Sequence, residues 1–518
     1  MHRRRFLGGT CGLVLGALFP SACGAQRGPR AAPEARFDFE ALRERARALA
    51  RRPPRPAPAV PAGVHEIDYD AHQGIRFREE AALFADRPPT PPIQLFHVGR
   101  HNPLPVRVHT LEGGRAREVR YSPSLFAYED ASLGRRLPPG LGFGGFRAMH
   151  GGGERRDWLA FAGASYFRSS GELDQYGLSA RGVAIGTGLP EPEEFPRFSE
   201  FWLEPSSAPD VHLTVYALLE GPSLTGAYRF RCRREGAVVM DTEAFLYPRG
   251  PIARLGIAPL TSMFWFSETN RHRATDWRPE VHDSDGLAMW TGAGERLFRP
   301  LRNPSAVRVH AYQDRNPRGF GLVQRDRAFD HYQDDGVFYE RRPTAWVEPI
   351  GAWGEGEVML VEIPTDDEIF DNIVAFWRPH REVRAGDELR YAYRLHWVAD
   401  EPSFPASLAR VVATRMGRAG VPGRPRPVDG VKIVLDLEGG ALATLSRGSG
   451  VEPVVSASRG RVDNVHAWPI VGTSRWRATF DVTADGDEPV ELRCYLRRGR
   501  DALSETWIYP LVPFRFGT

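Results

Sequence analysis

Two stretches of the chain carry acidic side chains in a setting that could do chemistry. The first surrounds Asp283 and Asp285, and the second ends with Glu368 and Asp371. Hydrolysis of a glycosidic bond needs one protonated carboxyl group to assist the leaving oxygen and one carboxylate to activate water or attack carbon. The two stretches therefore hold candidates for both roles.

Asp371 has a sequence setting that would suit a general acid. It comes directly before Asn372 and the apolar run 373–376, so it lies at the start of a predicted strand. Neighbouring groups at that place could remove water from its carboxyl group and raise its pKa. A structural cap of a turn is the alternative interpretation of the same residue.

The Asp-Ser-Asp-Gly motif at 283–286 is open to other interpretations. It could be a structural turn or a calcium loop. The EF-hand pattern does not fit, because an apolar residue stands at the third aspartate-type position and no pair of helices is predicted around it. The motif alone does not decide between a structural and a functional role.

Aromatic and planar polar side chains near these acids indicate carbohydrate as a ligand. The chain has 12 Trp, and Arg, Asp and Glu stand close to several of them. Tryptophans of β-sandwiches more often pack in the core, so each of them could equally be structural. Trp346 and Trp353 are the better ligand candidates, because they flank Pro and Gly in predicted loops.

The elements that must position these residues are predicted to be β-strands. Residues 389–397 alternate Leu, Tyr, Tyr, Leu and Trp with polar or small residues, which predicts a long strand with one buried face. Similar alternation recurs along the chain, including residues 431–437, 476–482 and 490–496. A helix is predicted only over 38–51, behind a cap at Asp38.

The chain is predicted to be all-β, with two β-sandwich domains. Its 518 residues are enough for two cores, and 44 Pro and 53 Gly scattered along it suit many turns. The Pro-rich stretch 401–405 cannot hold a strand ladder and predicts the boundary. We expect a large sandwich with a cleft over 37–400 and a small immunoglobulin-like sandwich over 401–518.

The N-terminus predicts export. Residues 3–7 read Arg-Arg-Arg-Phe-Leu, and a short apolar stretch and small residues follow, which is typical of a twin-arginine signal peptide over 1–25 with a linker over 26–36. Cys23 would suit a lipoprotein, but Pro20 stands where that signal takes an aliphatic residue. We expect a periplasmic protein.

Charge and cysteine content exclude some classes of function. Without the three Arg of residues 1–25 the chain has 65 basic and 65 acidic residues, which argues against nucleic acid as a partner. Cys232 and Cys494 lie far apart, so they predict neither a disulfide scaffold nor a metal site. We expect both to be small buried hydrophobes, and no metal or cofactor.

In several long motifs the chain resembles the periplasmic glucan biosynthesis proteins, the G and D proteins of osmoregulated periplasmic glucan synthesis. The signal peptide is more similar to the D branch. The stretches that carry the resemblance are long and ordered: DWLAFAGASYFR (157–168), YGLSARG (176–182), EEFPRFSEFW (193–202), RPEVHDSDGL (278–287), GFGLVQRDR (319–327), ERRPTAWVEP (340–349), VEIPTDDEIFDNIVAFW (361–377) and RVVATRMGRAGVPG (410–423).

The resemblance implies two β-sandwich domains and an activity of glycoside hydrolase family 186, which inverts on β-1,2-glucan. It implies that Asp371 is the general acid and that Asp283, 88 positions earlier, is the base, acting through water and a substrate hydroxyl. Tyr339 and Glu368 are implied near the substrate, and Glu368 could raise the pKa of Asp371. We add Asp285 and Trp346 as candidate substrate-binding residues.

Three hypotheses remain open from the sequence. The first is an endo-β-1,2-glucanase that trims periplasmic glucan. The second is a transglycosylase that uses the same acids to close a ring, and it differs in how water is excluded. The third is a non-catalytic scaffold that binds glucan. The predicted partners are β-1,2-glucan, the membrane glucan synthase and a second copy of the chain.

Overall fold

The computed structural model describes residues 34–152, 154–206, 208, 210–271 and 274–514. Strands dominate it, which confirms the all-β prediction. The predicted signal peptide and most of the linker lie outside the described residues. Within them, no helix is both long enough and apolar enough to cross a membrane.

The strands that precede residue 263 are β1 (Ala35–Arg36), β2 (Ile75–Phe77), β3 (Ile93–His97), β4 (Arg107–Glu112), β5 (Arg115–Glu118), β6 (Phe126–Tyr128), β7 (Phe143–Gly151), β8 (Glu154–Ala162), β9 (Tyr166–Ser169), β10 (Ser179–Arg181), β11 (Val183–Ile185), β12 (Arg197–Pro205), β13 (Leu213–Glu220), β14 (Leu224–Glu235), β15 (Ala237–Pro248) and β16 (Leu255–Ser262). The described residues also form four α-helices, α1 (Phe39–Ala50), α2 (Tyr69–Gln73), α3 (Ala131–Arg136) and α4 (Phe329–Tyr332), and several 3-10 helices of three to five residues.

The later strands are β17 (Phe264–Phe266), β18 (Val281–His282), β19 (Gly286–Trp290), β20 (Arg296–Pro300), β21 (Arg308–Arg315), β22 (Gly319–Val323), β23 (Thr344–Ile350), β24 (Glu355–Glu362), β25 (Ile373–Pro379), β26 (Leu389–Val398), β27 (Arg410–Arg418), β28 (Gly430–Glu438), β29 (Val451–Ala457), β30 (Arg461–Pro469), β31 (Arg475–Thr483), β32 (Val490–Arg498), β33 (Asp501–Ala502) and β34 (Thr506–Leu511).

The predicted N-terminal helix is confirmed as α1. Asp38 caps it, since its carboxylate accepts a hydrogen bond from the Ala41 amide at 2.7 Å. Leu42, Ala46 and Leu49 recur at helical spacing and are buried. They cover the outer face of β13 to β15, where Leu218, Ala227 and Phe245 belong to the same apolar cluster.

Two large sheets face each other across the main core. Among the described residues, sixteen strands form one sheet in the order β1-β5-β4-β12-β13-β14-β15-β26-β23-β22-β19-β20-β34-β32-β29, with β33 beside β32. Ten strands form the other in the order β21-β24-β25-β16-β10-β9-β8-β7-β3, with β11 beside β16. Phe161 of the ten-stranded sheet meets Phe230 of the sixteen-stranded sheet, with ring centroids 5.3 Å apart. Strand β26 alternates buried and half-exposed residues as predicted.

A smaller sheet, β27-β28-β31-β30, packs on the far end of the sixteen-stranded sheet. The core between them contains Trp476 and Phe480 from the smaller sheet, but also Phe298 and Trp346 from before residue 400. Strand β20, which precedes residue 400, pairs in parallel with β34, which follows it. The two predicted domains therefore contribute strands to one hydrogen-bonded sheet. The domain limits at 400 and 401 stay a prediction, and no break in the large sheet coincides with them.

Both cysteines of the described residues are free and buried. Burial raises the pKa of each thiol, most strongly at Cys232. This confirms that they act as small hydrophobes, in β14 and β32.

Candidate functional site

The segments that carry the two candidate acids meet at a short hairpin, β17–β18. Phe264 pairs with His282 in that hairpin, and the Asp283 amide donates to the Met263 carbonyl at 2.8 Å. The Asn372 side chain binds the backbone of Phe264. Its amide oxygen accepts a hydrogen bond from Phe264 N at 2.8 Å, and its nitrogen donates to Phe264 O at 3.0 Å. The Asp283 amide and the Asn372 side chain therefore both bond to the Met263–Phe264 peptide unit.

Arg342 interacts with both acids. Its guanidinium forms an ion pair with the Asp283 carboxylate, and both side chains are largely buried. Its positive charge also acts on Asp371 and lowers the pKa of that carboxyl group. Burial lowers the pKa of Arg342 itself to about 9, so that the guanidinium is still charged at neutral pH. One cation thus addresses both acids.

Asp371 is open to solvent and yet surrounded by protein. Its surface is exposed, but burial raises the pKa of its carboxyl group, against the opposing effect of Arg168, Arg181 and Arg342. The two facts agree if water reaches the carboxyl group from one side and protein encloses the others, as in a concave surface. No hydrogen bond from any described residue reaches this carboxylate. Its oxygen atoms are therefore available to a ligand.

Arg278 ties three loops together beside the acids. Its guanidinium donates to Asp276 at 2.8 Å, to Asp334 at 2.8 Å and to both oxygens of Glu368 at 2.9 and 3.1 Å. Glu368 stands three residues before Asp371, so Arg278 fixes the loop that carries the candidate acid. Bidentate arginine–carboxylate contacts are geometrically specific, which makes this a rigid support.

Comparison with known proteins identifies the family of this chain. Residues 37–511 match the family model described as "Periplasmic glucan biosynthesis protein, MdoG". The chain belongs to this family.

Relatives in other bacteria are similar over nearly their whole length. The chain is 51% identical to "Glucans biosynthesis protein D 2" of Ralstonia nicotianae, over 92% of this chain and 91% of that protein. It is 48% identical to "Glucans biosynthesis protein D" of Stenotrophomonas maltophilia, over 99% and 98%. It is 47% identical to "Probable glucans biosynthesis protein D" of Shewanella oneidensis, over 97% and 93%. The resemblance inferred from the motifs is confirmed, including the similarity to the D proteins.

In this member of the glucan biosynthesis family, Tyr339 and Glu368 belong to the same site, but they are hydrogen-bonded to each other. The Tyr339 hydroxyl donates to Glu368, and the Tyr339 ring is buried under Arg342 at 3.9 Å. Burial tends to raise the pKa of Glu368, but the bonds from Arg278 and Tyr339 outweigh it, and the net effect lowers that pKa. Burial causes the raised pKa of Asp371. The predicted repulsion from the Glu368 carboxylate does not contribute to it.

Asp285 lies close by but supports the backbone. Its carboxylate accepts hydrogen bonds from the amides of Arg325 and Asp326, the latter at 2.9 Å. His282 is 3.9 Å away, and its own pKa is raised to about 9 because Glu280 and Asp285 outweigh the effect of burial. These bonds show that Asp285 positions the backbone of residues 325–326.

The predicted loop position of Trp346 is wrong, and that of Trp353 is confirmed. Trp346 lies in β23, not in a loop, and only 2% of its surface is exposed, so it belongs to the core under the smaller sheet. Trp353 is in a loop, but its ring packs on Trp377 and Tyr391 and its indole nitrogen donates to Ala392 O at 3.2 Å. Both indole rings are buried inside the protein, although Pro349 and nearby Gly residues are typical of exposed loops.

Several residues of the site carried no predicted role. Arg278, Arg342 and Arg168 stand inside the recognised motifs, but their contacts depend on residues up to 90 positions away. Trp277 is 72% exposed and adjoins Arg278. Ile369 and Phe370, between Glu368 and Asp371, are 74% and 56% exposed. An apolar rim of Trp277, Ile369 and Phe370 therefore stands on the loops that Arg278 connects.

Among the described residues, Glu280, Asp326 and His331 have donor atoms within 4.8 Å of one another and could hold a metal ion. Their donor atoms already have partners inside the protein, because Glu280 contacts His282 at 3.1 Å and Asp326 contacts His331. The absence of a metal or cofactor stays a prediction.

Proposed function

We propose that the protein works in the periplasm on β-1,2-glucan as an inverting endo-β-1,2-glucanase. Asp371 is the general acid and Asp283 the general base in this proposal. The family is one of periplasmic glucan biosynthesis, and the predicted twin-arginine signal is consistent with that compartment. The membrane glucan synthase and a second copy of the chain stay predicted partners.

The arrangement of two carboxylates around Arg342 carries the proposal. An inverting glycosidase needs a protonated acid on the leaving oxygen and a base for water on the opposite face of the sugar. Asp371 has a raised pKa and no hydrogen bond from the described residues, which suits the acid. Asp283 is oriented by Arg342, which suits a base that acts through water and a substrate hydroxyl.

The supporting residues hold the acid in place and do not react. Asn372 anchors the strand that follows Asp371 to the β17–β18 hairpin, and Arg278 holds the preceding loop through Glu368. Tyr339 completes the support of Glu368 from within the core. General acid–base catalysis raises a reaction rate by about 10²- to 10⁴-fold, and it requires an acid that is held in place in this way.

Transglycosylation is the second candidate, and the apolar rim favours it. Trp277, Ile369 and Phe370 are large and exposed on the two loops that Arg278 and Glu368 join, so they could cover a bound glucan and exclude water. A sugar hydroxyl would then replace water as the acceptor, with the same acid and base. A scaffold that only binds glucan has no need for an unpaired acid with a raised pKa.

The test incubates the mature protein with linear β-1,2-glucan and follows chain length and reducing ends. We expect shorter linear products, and we expect Asp371→Asn to lower the rate by about 10²- to 10⁴-fold, because it removes the proton donor. Asp366→Asn is the matched control, since Asp366 is an exposed aspartate of the same loop.

Products of altered mass with unchanged reducing ends would indicate transglycosylation. Binding without any change in the glucan, in both the native protein and the variant, would leave only the scaffold.

A further inference from the structure

The outer face of the ten-stranded sheet carries a row of polar side chains that begins with Arg168, whose charge acts on Asp371. Register places Gln94 opposite Arg147, Arg147 opposite Ala160, and Ala160 opposite Arg168, across β3, β7, β8 and β9. Leu95, Phe146 and Phe167 alternate with them and lie in the core, so the row faces outward. Three strand spacings separate Arg168 from Gln94, which is about 14 Å.

Contacts along this row are continuous. The Arg168 guanidinium lies 4.9 Å from the centre of the Tyr176 ring, and the Tyr176 hydroxyl donates to Asp157 at 2.8 Å. Arg147 is 3.9 Å from Asp157 and donates to Gln94 at 2.8 Å. We call Arg168, Tyr176, Asp157, Arg147 and Gln94 the polar track.

The track ends in a cavity of about 860 Å³ at the β3 edge of the sheet. Gln94, Phe96 and Arg147 line it, and the Arg147 guanidinium lies 5.6 Å from the centre of the half-exposed Phe96 ring. The volume falls within the range of ligand-binding sites, roughly 300–1,000 Å³. An aromatic face beside amide and guanidinium groups is a combination that binds sugar rings, because the ring covers C–H groups and the planar groups bond hydroxyls.

We infer that this cavity is a distal binding site for the glucan chain, connected to the acids by the polar track. A chain cut at Asp371 would lie along the outer face of the sheet, with its far end held by Arg147 and Phe96. The inference rests on the proposed function, since it takes β-1,2-glucan as the ligand. It predicts that the protein distinguishes long glucan from short oligomers by contacts remote from the acids.

The test measures binding by calorimetry in the Asp371→Asn background, which prevents cleavage, with linear β-1,2-glucan oligomers of increasing length. We expect Arg147→Ala to weaken binding of long oligomers about tenfold and to leave binding of the shortest oligomers unchanged, because only long chains reach the cavity. Phe96→Ala should act in the same direction. It provides a second variant if Arg147→Ala disturbs folding. Arg315→Ala, on the opposite edge strand β21, is the matched control.

The outcomes separate this inference from the proposed function. If Arg147→Ala and Phe96→Ala bind long glucan as tightly as the parent, or weaken all lengths equally, the distal site is overturned and the proposed function stands. If the parent binds no β-1,2-glucan of any length, the proposed function fails, and the distal site fails with it.

Discussion

In two regions of this protein an arginine interacts with two carboxylates. The regions differ in whether one of those carboxylates is left without a hydrogen bond from the described residues. Where the smaller sheet joins the large one, Arg325 contacts Glu401 at 2.8 Å and Glu505 at 3.0 Å, and all three side chains are at most 6% exposed. At the candidate site, Arg342 pairs with Asp283, while Asp371 faces solvent without a hydrogen bond from the described residues.

The difference shows how charge can serve structure or chemistry. Arg325 also donates to Val411 O at 2.8 Å, so it joins strand β22 to β27 and to the segment before β34. Every member of that cluster has a partner inside the protein. At the candidate site the partners hold Asp283 and Glu368, and Asp371 alone is left for a ligand. A buried charge that is fully paired indicates structure, and an enclosed acid without a partner indicates function.

The largest effect that this comparison predicts is on stability at the junction. Arg325→Ala should lower the free energy of unfolding by about 3–5 kcal/mol, because it leaves two buried carboxylates without their cation. Thermal unfolding of the full chain measures it. Glu505→Gln is the control: it keeps an acceptor for the Val411 amide at 2.7 Å and should cost much less. Equal losses in the two variants would contradict the comparison.

A smaller effect is expected on activity at the candidate site. Arg278→Ala should lower kcat about 10- to 100-fold, because three loops lose their common partner and Asp371 is no longer held in place. The thermal midpoint should change little, since these loops lie outside the main core. Arg318→Ala, which removes an arginine remote from the acids, should leave kcat unchanged. An unchanged kcat in Arg278→Ala would show that the loops are positioned by other contacts.

The smallest predicted effect concerns the pH dependence. Arg168 lowers the pKa of Asp371, so Arg168→Ala should raise that pKa and keep the acid protonated to higher pH. The basic limb of kcat/KM on β-1,2-glucan should then move upward by up to about one pH unit. Arg168→Lys keeps the charge and should leave the limb in place. A downward shift in Arg168→Ala would argue against Asp371 as the acid.

Local patterns determined much of this protein. The period of two over 389–397 corresponds to β26, and the helical spacing behind Asp38 corresponds to α1, because both depend on neighbours along the chain. The ordered motifs were sufficient to recognise the family and to select Asp283 and Asp371 as candidates. Alternation cannot specify which strands pair, so the parallel contact of β20 with β34 was not predicted.

Only the tertiary structure decided how the candidate acids are supported. The Asn372 side chain binds the Phe264 peptide 108 positions away, and Arg342 reaches Asp283 across 59 positions. Tryptophan placement was decided in the same way, since Trp346 is buried by a sheet from the far end of the chain. Residue type and spacing identify groups that could react. Burial, partners and pKa depend on contacts between segments that are remote in sequence, and those contacts exist only in the folded chain.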